Sequence, residues 1–249
     1  MAVSDSHPVS IDRAAEARTR ILEAALKEFS AHGLAGARTE AIAATAGVNK
    51  ALLYYYFAGK ETLYAAALEL AAERVRNSSL AALGSDVTAG ERLLRMALSH
   101  FDRILAQREF QSLMQQEMIR AQKGEPGNLL MLVERIFRPL HFRFQEVARE
   151  GMASGELIEA DWMQMELVAL GANVFYFLTA PLSRLMTGGE PFSEEALTRR
   201  RRAIVEFLGQ AVFVDRKSGA AAAARVLAAL PMPAIDKEFV FWRNDERTK

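Results

Sequence analysis

The chain has 249 residues, of which 51% are hydrophobic and 25% charged, with basic and acidic groups in equal number. That length holds one large domain or two smaller ones, and a formal net charge of zero gives no bulk signal for nucleic acid. The absence of cysteine excludes disulfides and thiolate metal sites and suits a reducing cytoplasm.

Alanine and leucine dominate and β-branched runs are rare, which predicts an all-α fold. Met1–Ser10 lacks the apolar run of a signal peptide. The longest uncharged stretch, Leu167–Ser183, is short for a membrane span and holds Asn173 and Pro181, so it reads as a buried core or interface helix. The expected location is the cytoplasm, with no membrane partner.

Residues 1–12 are expected to form a disordered arm. A first helix is predicted from Arg13 to His32, with Ile21, Leu22, Ala25, Leu26 and Phe29 as its apolar stripe and Gly33 as its stop. A second spans Thr39–Ala46, with Thr39 as N-cap and Ile42, Ala43 and Ala46 inward. Gly47 supplies a tight turn. Asn49 caps a third helix of about eight residues, with Leu53 and Phe57 inward. Lys50, Ala51, Tyr54 and Tyr55 lie nearer the outside, and three consecutive tyrosines exceed what one buried face can hold. Two short helices across a glycine turn outline a helix-turn-helix, which places its second helix in the major groove of DNA. Local charge agrees modestly: Arg13 to Lys60 contains seven basic and four acidic residues, a net of +3, and no acid lies between Asn49 and Lys60.

A long fourth helix is predicted from Lys60 to Leu83. Further helices follow at about 89–106, 108–122, 128–154, 161–180 and 194–214, and Pro139 should kink or break the seventh. Residues 13–60 are thus expected as a DNA-binding head and 61–217 as a helical body. Residues 218–249 form a C-terminal extension, in which Phe239-Val-Phe241-Trp242 should pack on the body or a partner subunit.

The spaced residues Arg20-Ile-Leu-Glu-Ala-Ala-Leu-Lys-Glu-Phe29, Thr39, Ile42-Ala43, Gly47-Val48, Leu53-Tyr-Tyr-Tyr-Phe57 and Gly59-Lys-Glu-Thr-Leu63 together resemble the TetR/AcrR family of bacterial transcriptional repressors, over roughly residues 15–70. The resemblance implies a homodimer with a three-helix head and a larger body. The body binds a small molecule, dimerises through its last two main helices (here near 161–180 and 194–214), and releases a palindromic operator when the ligand binds. The family's contact positions fall on Thr39, Lys50, Ala51, Tyr54, Tyr55 and Lys60, with Lys50 donating to guanine and Lys60 clamping a phosphate. Leu52 and Tyr56 depart from common family residues; Leu52 is expected either to meet a thymine methyl or to close the head's core. Arg38 is a further candidate phosphate contact.

The body is rich in methionine and aromatics. Phe101, Met114, Met118, Phe137, Met165 and Tyr176 are candidates to line a pocket for an apolar or amphipathic effector, with Arg138, His141 or Asn173 orienting a polar group. The Arg199–Arg202 run is expected as a solvated helix end or an intersubunit ion pair. No cofactor or metal is implied. There is no nucleophile elbow, phosphate loop or His-Glu-x-x-His, and the four histidines form no cluster, so an enzyme is not expected. The alternative is a ligand-binding or scaffold protein of the same fold that has lost sequence-specific DNA binding. An activator role also stays open.

Overall fold

The computed structural model describes residues 8–84, 86–125 and 127–234, with side chains from residue 13 onward. The Phe239–Trp242 segment lies outside the described residues. Among those described, the chain is helical throughout, with one isolated antiparallel bridge between Leu157 and Phe213. By its internal contacts it divides into two units: residues up to Val75 together with Arg108–Ile136, and Arg76–Gln107 together with Phe137 onward. This division differs from a boundary near residue 60, because the first unit continues to Val75 and takes in Arg108–Ile136.

In the first unit, α1 (Pro8–Gly36) starts five residues before the expected Arg13, so part of the expected arm is helical; proline is tolerated at a first helical position, where an N–H has no partner anyway. Gly33 kinks the helix at φ 69° rather than ending it. The stripe Ile21, Leu22, Ala25, Leu26 and Phe29 is buried. Next come α2 (Thr39–Ala46), α3 (Lys50–Tyr56), α4 (Lys60–Leu83) and α6 (Arg108–Gln122). Phe29 meets Tyr64 of α4 edge-on at 5.1 Å. Helix α6 packs on α1, where Gln116 donates to the Phe29 carbonyl at 3.3 Å and Ser112 to that of Ser30 at 2.8 Å. Buried Glu117 accepts from the Tyr64 hydroxyl at 2.9 Å, from Arg120 at 3.0 Å and from the Asn128 amide at 2.5 Å. Its charge is tolerated because every contact it makes there is a donor.

The predicted helix over 128–154 is three segments: α7 (Leu129–Leu132), a π turn (Val133–Phe137) and α8 (Arg138–Ala153). Pro139 explains the break: it lacks the N–H that would bond four residues back, and its ring clashes with that carbonyl, so the preceding turn widens.

The second unit holds the end of α4, α5 (Ala89–Ala106), α8, α9 (Trp162–Leu178), α10 (Ala180–Thr187), α11 (Glu194–Val212) and α12 (Arg216–Ala229). The helix expected over 161–180 is broken before Pro181, and α9 and α10 meet at a bend of 62°. No single described helix is long and apolar enough to cross a membrane.

The start of the expected extension is also part of this unit. Asp215 caps α12 by accepting from the Lys217 and Ser218 amides at 3.2 and 3.0 Å. Ala222, Ala223 and Val226 of α12 then enter a core with Leu93, Leu94, Val205 and Phe213. The packing of α12 on α11 depends on two glycines: a Cβ on Gly219 would lie 1.9 Å from the Gly209 carbonyl oxygen, so neither helix tolerates a side chain there.

The arginine run does not behave as one solvated end. Arg199 is exposed beside Glu195, whereas Arg201 turns inward, donates to both Asp102 oxygens at 2.7 and 2.8 Å, and also reaches the Leu230 and Pro231 carbonyls. Arg200 donates to the Ala172 carbonyl at 2.8 Å and lies over the Tyr176 ring at 5.3 Å.

Candidate nucleic-acid interface

The head's geometry follows from two local features. Gly47 adopts a left-handed conformation at φ 66°, a region costly for a residue with Cβ, and its amide closes the end of α2. Two residues later the Asn49 side chain accepts from the Leu52 amide at 2.7 Å and starts α3. Leu53 and Phe57 are buried, anchoring this short helix from one side. Arg20 of α1 donates to the Ala46 carbonyl at 3.2 Å, and the Arg18 guanidinium lies 5.5 Å from the Phe57 ring centre.

With that face fixed, Lys50, Ala51, Tyr54 and Tyr55 project outward; Tyr55 is 80% exposed. Leu52 is half-buried, so it neither closes the core fully nor stands free. Tyr56 is half-buried too, edge-on to Tyr55 at 5.3 Å. Thr39 is the first residue of α2; Arg38 occupies the cap position, with no side-chain cap bond. Thr39 is buried and its hydroxyl lies 3.3 Å from that of Tyr54, a use of the threonine that replaces the expected capping. Arg38 is exposed. Lys60 opens α4 and donates to the Ala35 carbonyl at 3.0 Å.

One residue of this surface was not singled out in the sequence. Glu40, in the first turn of α2, accepts from Lys50 Nζ, and the same ammonium lies 5.8 Å from the Tyr54 ring centre. The shared hydrogen bond holds the Glu40 carboxyl below its ordinary pKa and the Lys50 ammonium above its own. The available signal was the turn itself, which folds the first turns of two neighbouring helices, one acidic and one basic, towards each other.

The candidate effector residues are divided between the two units. Met114 and Met118 lie on α6 in the first unit, Met114 buried and Met118 exposed; the other seven belong to the second. Of these, Phe101, Tyr176 and Asn173 are neighbours. Phe101 packs 5.6 Å from Tyr176, and Asn173 is fully buried, donating to the Ala97 carbonyl at 2.9 Å and to His100 Nδ1 at 3.3 Å. The Asn173 carbonyl oxygen has no partner among the described residues. His141 pairs with Glu166 at 2.7 Å, Met165 packs against the larger core cluster, Phe137 is half-buried and Arg138 exposed. Tyr176 also edges a cleft of about 420 Å³ with Arg199 and Arg200. Among the described residues no group of three or more metal-ligating side chains occurs.

An all-helical chain that presents a capped helix-turn-helix from a three-helix head belongs to a well-populated class of DNA-binding folds. Residues 21–74 match the family described as bacterial regulatory proteins, tetR family. Over 52 residues the chain is 52% identical to the HTH-type transcriptional repressor SCO4008 of Streptomyces coelicolor, covering 21% of this chain and 27% of that protein. Over 57 residues it is 53% identical to the HTH-type transcriptional regulator RutR of Escherichia coli, covering 22% and 27%. The matched region thus spans about a quarter of these relatives' length. In fold, the chain is similar to a TetR/AcrR-family transcriptional regulator from Thermobifida fusca, with a TM-score of 0.58 at 22% identity over 77% of this chain and 95% of that one. The similarity to the TetR family thus rests on the head, over residues 21–74, and the rest of the chain shares the fold of such regulators.

Proposed function

We propose that this chain is a transcriptional repressor. It binds a palindromic operator as a homodimer in the cytoplasm and releases it when a small apolar or amphipathic effector binds the body. The observation that carries DNA binding is the outward row on α3: Lys50, Ala51, Tyr54 and Tyr55 leave a helix whose opposite side is anchored by Leu53 and Phe57. Lys50 suits a guanine edge, the tyrosines suit phosphates and thymine methyls, Arg38 and Lys60 flank them as backbone contacts, and the buried Thr39 hydroxyl orients that of Tyr54. The relatives matched over the head carry names of transcriptional repressors and regulators, which supports the same role here.

Support for the homodimer comes from apolar side chains left outward on the second unit. Leu167, Phe175 and Leu178 of α9, Leu185 and Met186 of α10 and Phe207 of α11 are all more than half exposed, a concentration that a partner subunit would cover. For the effector, the support is the buried side-chain oxygen of Asn173, which has no partner among the described residues, close to the aromatic pair Phe101 and Tyr176.

Fluorescence anisotropy on fragments recovered from a genomic DNA selection tests this reading. Lys50→Ala should weaken the selected sequence and relax preference at one base pair, whereas Lys60→Ala should weaken all sequences and flatten the salt dependence. Equal losses on selected and random DNA from Lys50→Ala would refute the base-reading role.

A further inference from the structure

We propose that the cleft between α9, α10 and the start of α11 binds a small organic monocarboxylate, with the Arg200 guanidinium as its anchor. The cleft has a volume of about 420 Å³, a size that suits a small molecule, and Tyr176, Ser183, Pro191, Arg199 and Arg200 are among the residues that line it. Asn173 does not line it, so the site goes beyond the effector reading above. Three neighbouring arginines have carboxylate partners: Arg184 pairs with Glu190 at 2.9 Å, Arg199 with Glu195 at 3.6 Å and Arg201 with Asp102 at 2.7 Å. Half-buried Arg200 has no carboxylate partner among the described residues.

Two contacts with α9 hold the guanidinium. Nη2 donates to the Ala172 carbonyl at 2.8 Å, and the group lies 5.3 Å from the Tyr176 ring centre. Tyr176 is itself fixed, because it donates to the Pro191 carbonyl and packs edge-on to Phe192 at 6.3 Å. Arg200 Nε is buried without a partner, and Nη1 has none among the described residues. Burial pushes the Arg200 pKa down, opposed only by Tyr176. A half-buried cation without a counter-ion is costly, and an anionic ligand relieves that cost while accepting from a guanidinium already oriented. The ligand carries a single charge because the cleft has one to match. Glu190 and Glu195 also line it, but each is engaged by its own arginine and is largely exposed to water. Pro191, Ala196 and Ala203 supply an apolar wall for the rest of the molecule. The plain structural alternative is that Arg200 only ties α11 to α9; its loss then lowers stability and leaves ligand preference untouched.

The test is titration calorimetry of the full chain with sodium benzoate and with benzamide, an uncharged molecule of nearly the same shape. It is repeated on Arg200→Met and Arg200→Lys, with thermal melting to confirm folding and sedimentation to record self-association. Wild type should bind benzoate roughly tenfold more tightly than benzamide. Arg200→Met should abolish that preference, and Arg200→Lys should keep part of it, because an ammonium retains the charge but not the planar fork. Equal affinity for the two molecules in wild type, or binding of neither, overturns the proposal, and this comparison stands even where Arg200→Met does not fold. An undiminished benzoate preference in folded Arg200→Met overturns it too; if self-association weakens at the same time, Arg200 belongs to a contact with a second copy of the chain. No DNA is present in these titrations, so their failure leaves the repressor reading standing.

Discussion

Arg201 and Asp102 meet as a two-pronged pair, with the arginine Nε 2.7 Å from one carboxylate oxygen and Nη2 2.8 Å from the other. They are 99 residues apart in the chain, and Arg201 also ties down the Leu230 and Pro231 carbonyls. Both are largely buried, so removing one leaves the other charge without its partner in a poorly solvated site. Arg201→Met should cost about 3–5 kcal/mol of stability in urea unfolding. Adding Asp102→Leu to that variant should recover part of the loss; a double variant less stable than the single one would contradict this account of the pair.

The crossing of α11 and α12 depends on the absence of side chains at Gly209 and Gly219. Gly219→Ala should therefore separate the helices and destabilise the chain by about 1–3 kcal/mol. In contrast, Gly171→Ala meets no atom within 4 Å and removes a glycine from the interior of α9, so it should be neutral or mildly stabilising. Thermal melting of the two variants side by side separates these outcomes.

At the head, Asn49→Ala removes the acceptor that starts α3. A loss of about 1 kcal/mol is expected, together with faster amide exchange at Leu52 and weaker DNA binding. Asn49→Asp should retain the capping bond and leave exchange at Leu52 near that of the wild type.

His100 gives the chain a pH dependence with a defined sign. Burial, with Arg103 adding to it, pushes its pKa down from 6.5 to about 3. Asn173 Nδ2, held in orientation by the Ala97 carbonyl, faces His100 Nδ1 as a donor, so a proton there would set donor against donor. The folded state therefore excludes a proton that the unfolded chain accepts below pH 6.5. Stability should fall from about pH 6.5 towards pH 3, with His100 accounting for up to about one proton taken up on unfolding, and should be insensitive to His100 above that window. His100→Gln, compared with wild type in urea melts at pH 7.5 and 5, should reduce the difference between the two pH values; an unchanged difference would remove His100 as its source.

The head was legible in the sequence because its determinants are local. Gly47, the Asn49 cap and the Leu53–Phe57 anchor lie within a dozen residues, and each states a backbone or burial requirement by its own chemistry. What sequence could not supply was the partner across space. The Arg199–Arg202 run looked uniform, yet burial of Arg201 depends on an aspartate on α5. The alanine-rich stretch after Asp215 carries little periodicity, and it becomes a core helix only because Gly209 lets it approach. Glu117 and the Glu40–Lys50 pair were missed for the same reason: single acids whose roles arise from neighbours on other helices. Pro139 signalled a break correctly, but the wider π turn is a detail of how the chain accommodates it.

The most direct measurement is a protection footprint of the full chain on fragments it selects from genomic DNA. The account predicts a two-fold symmetric protected site whose half-sites lie about 34–36 Å apart or a multiple of that, with protection lost in Lys50→Ala. Absence of any protected sequence at low salt, or a footprint that survives Lys50→Ala unchanged, would contradict it.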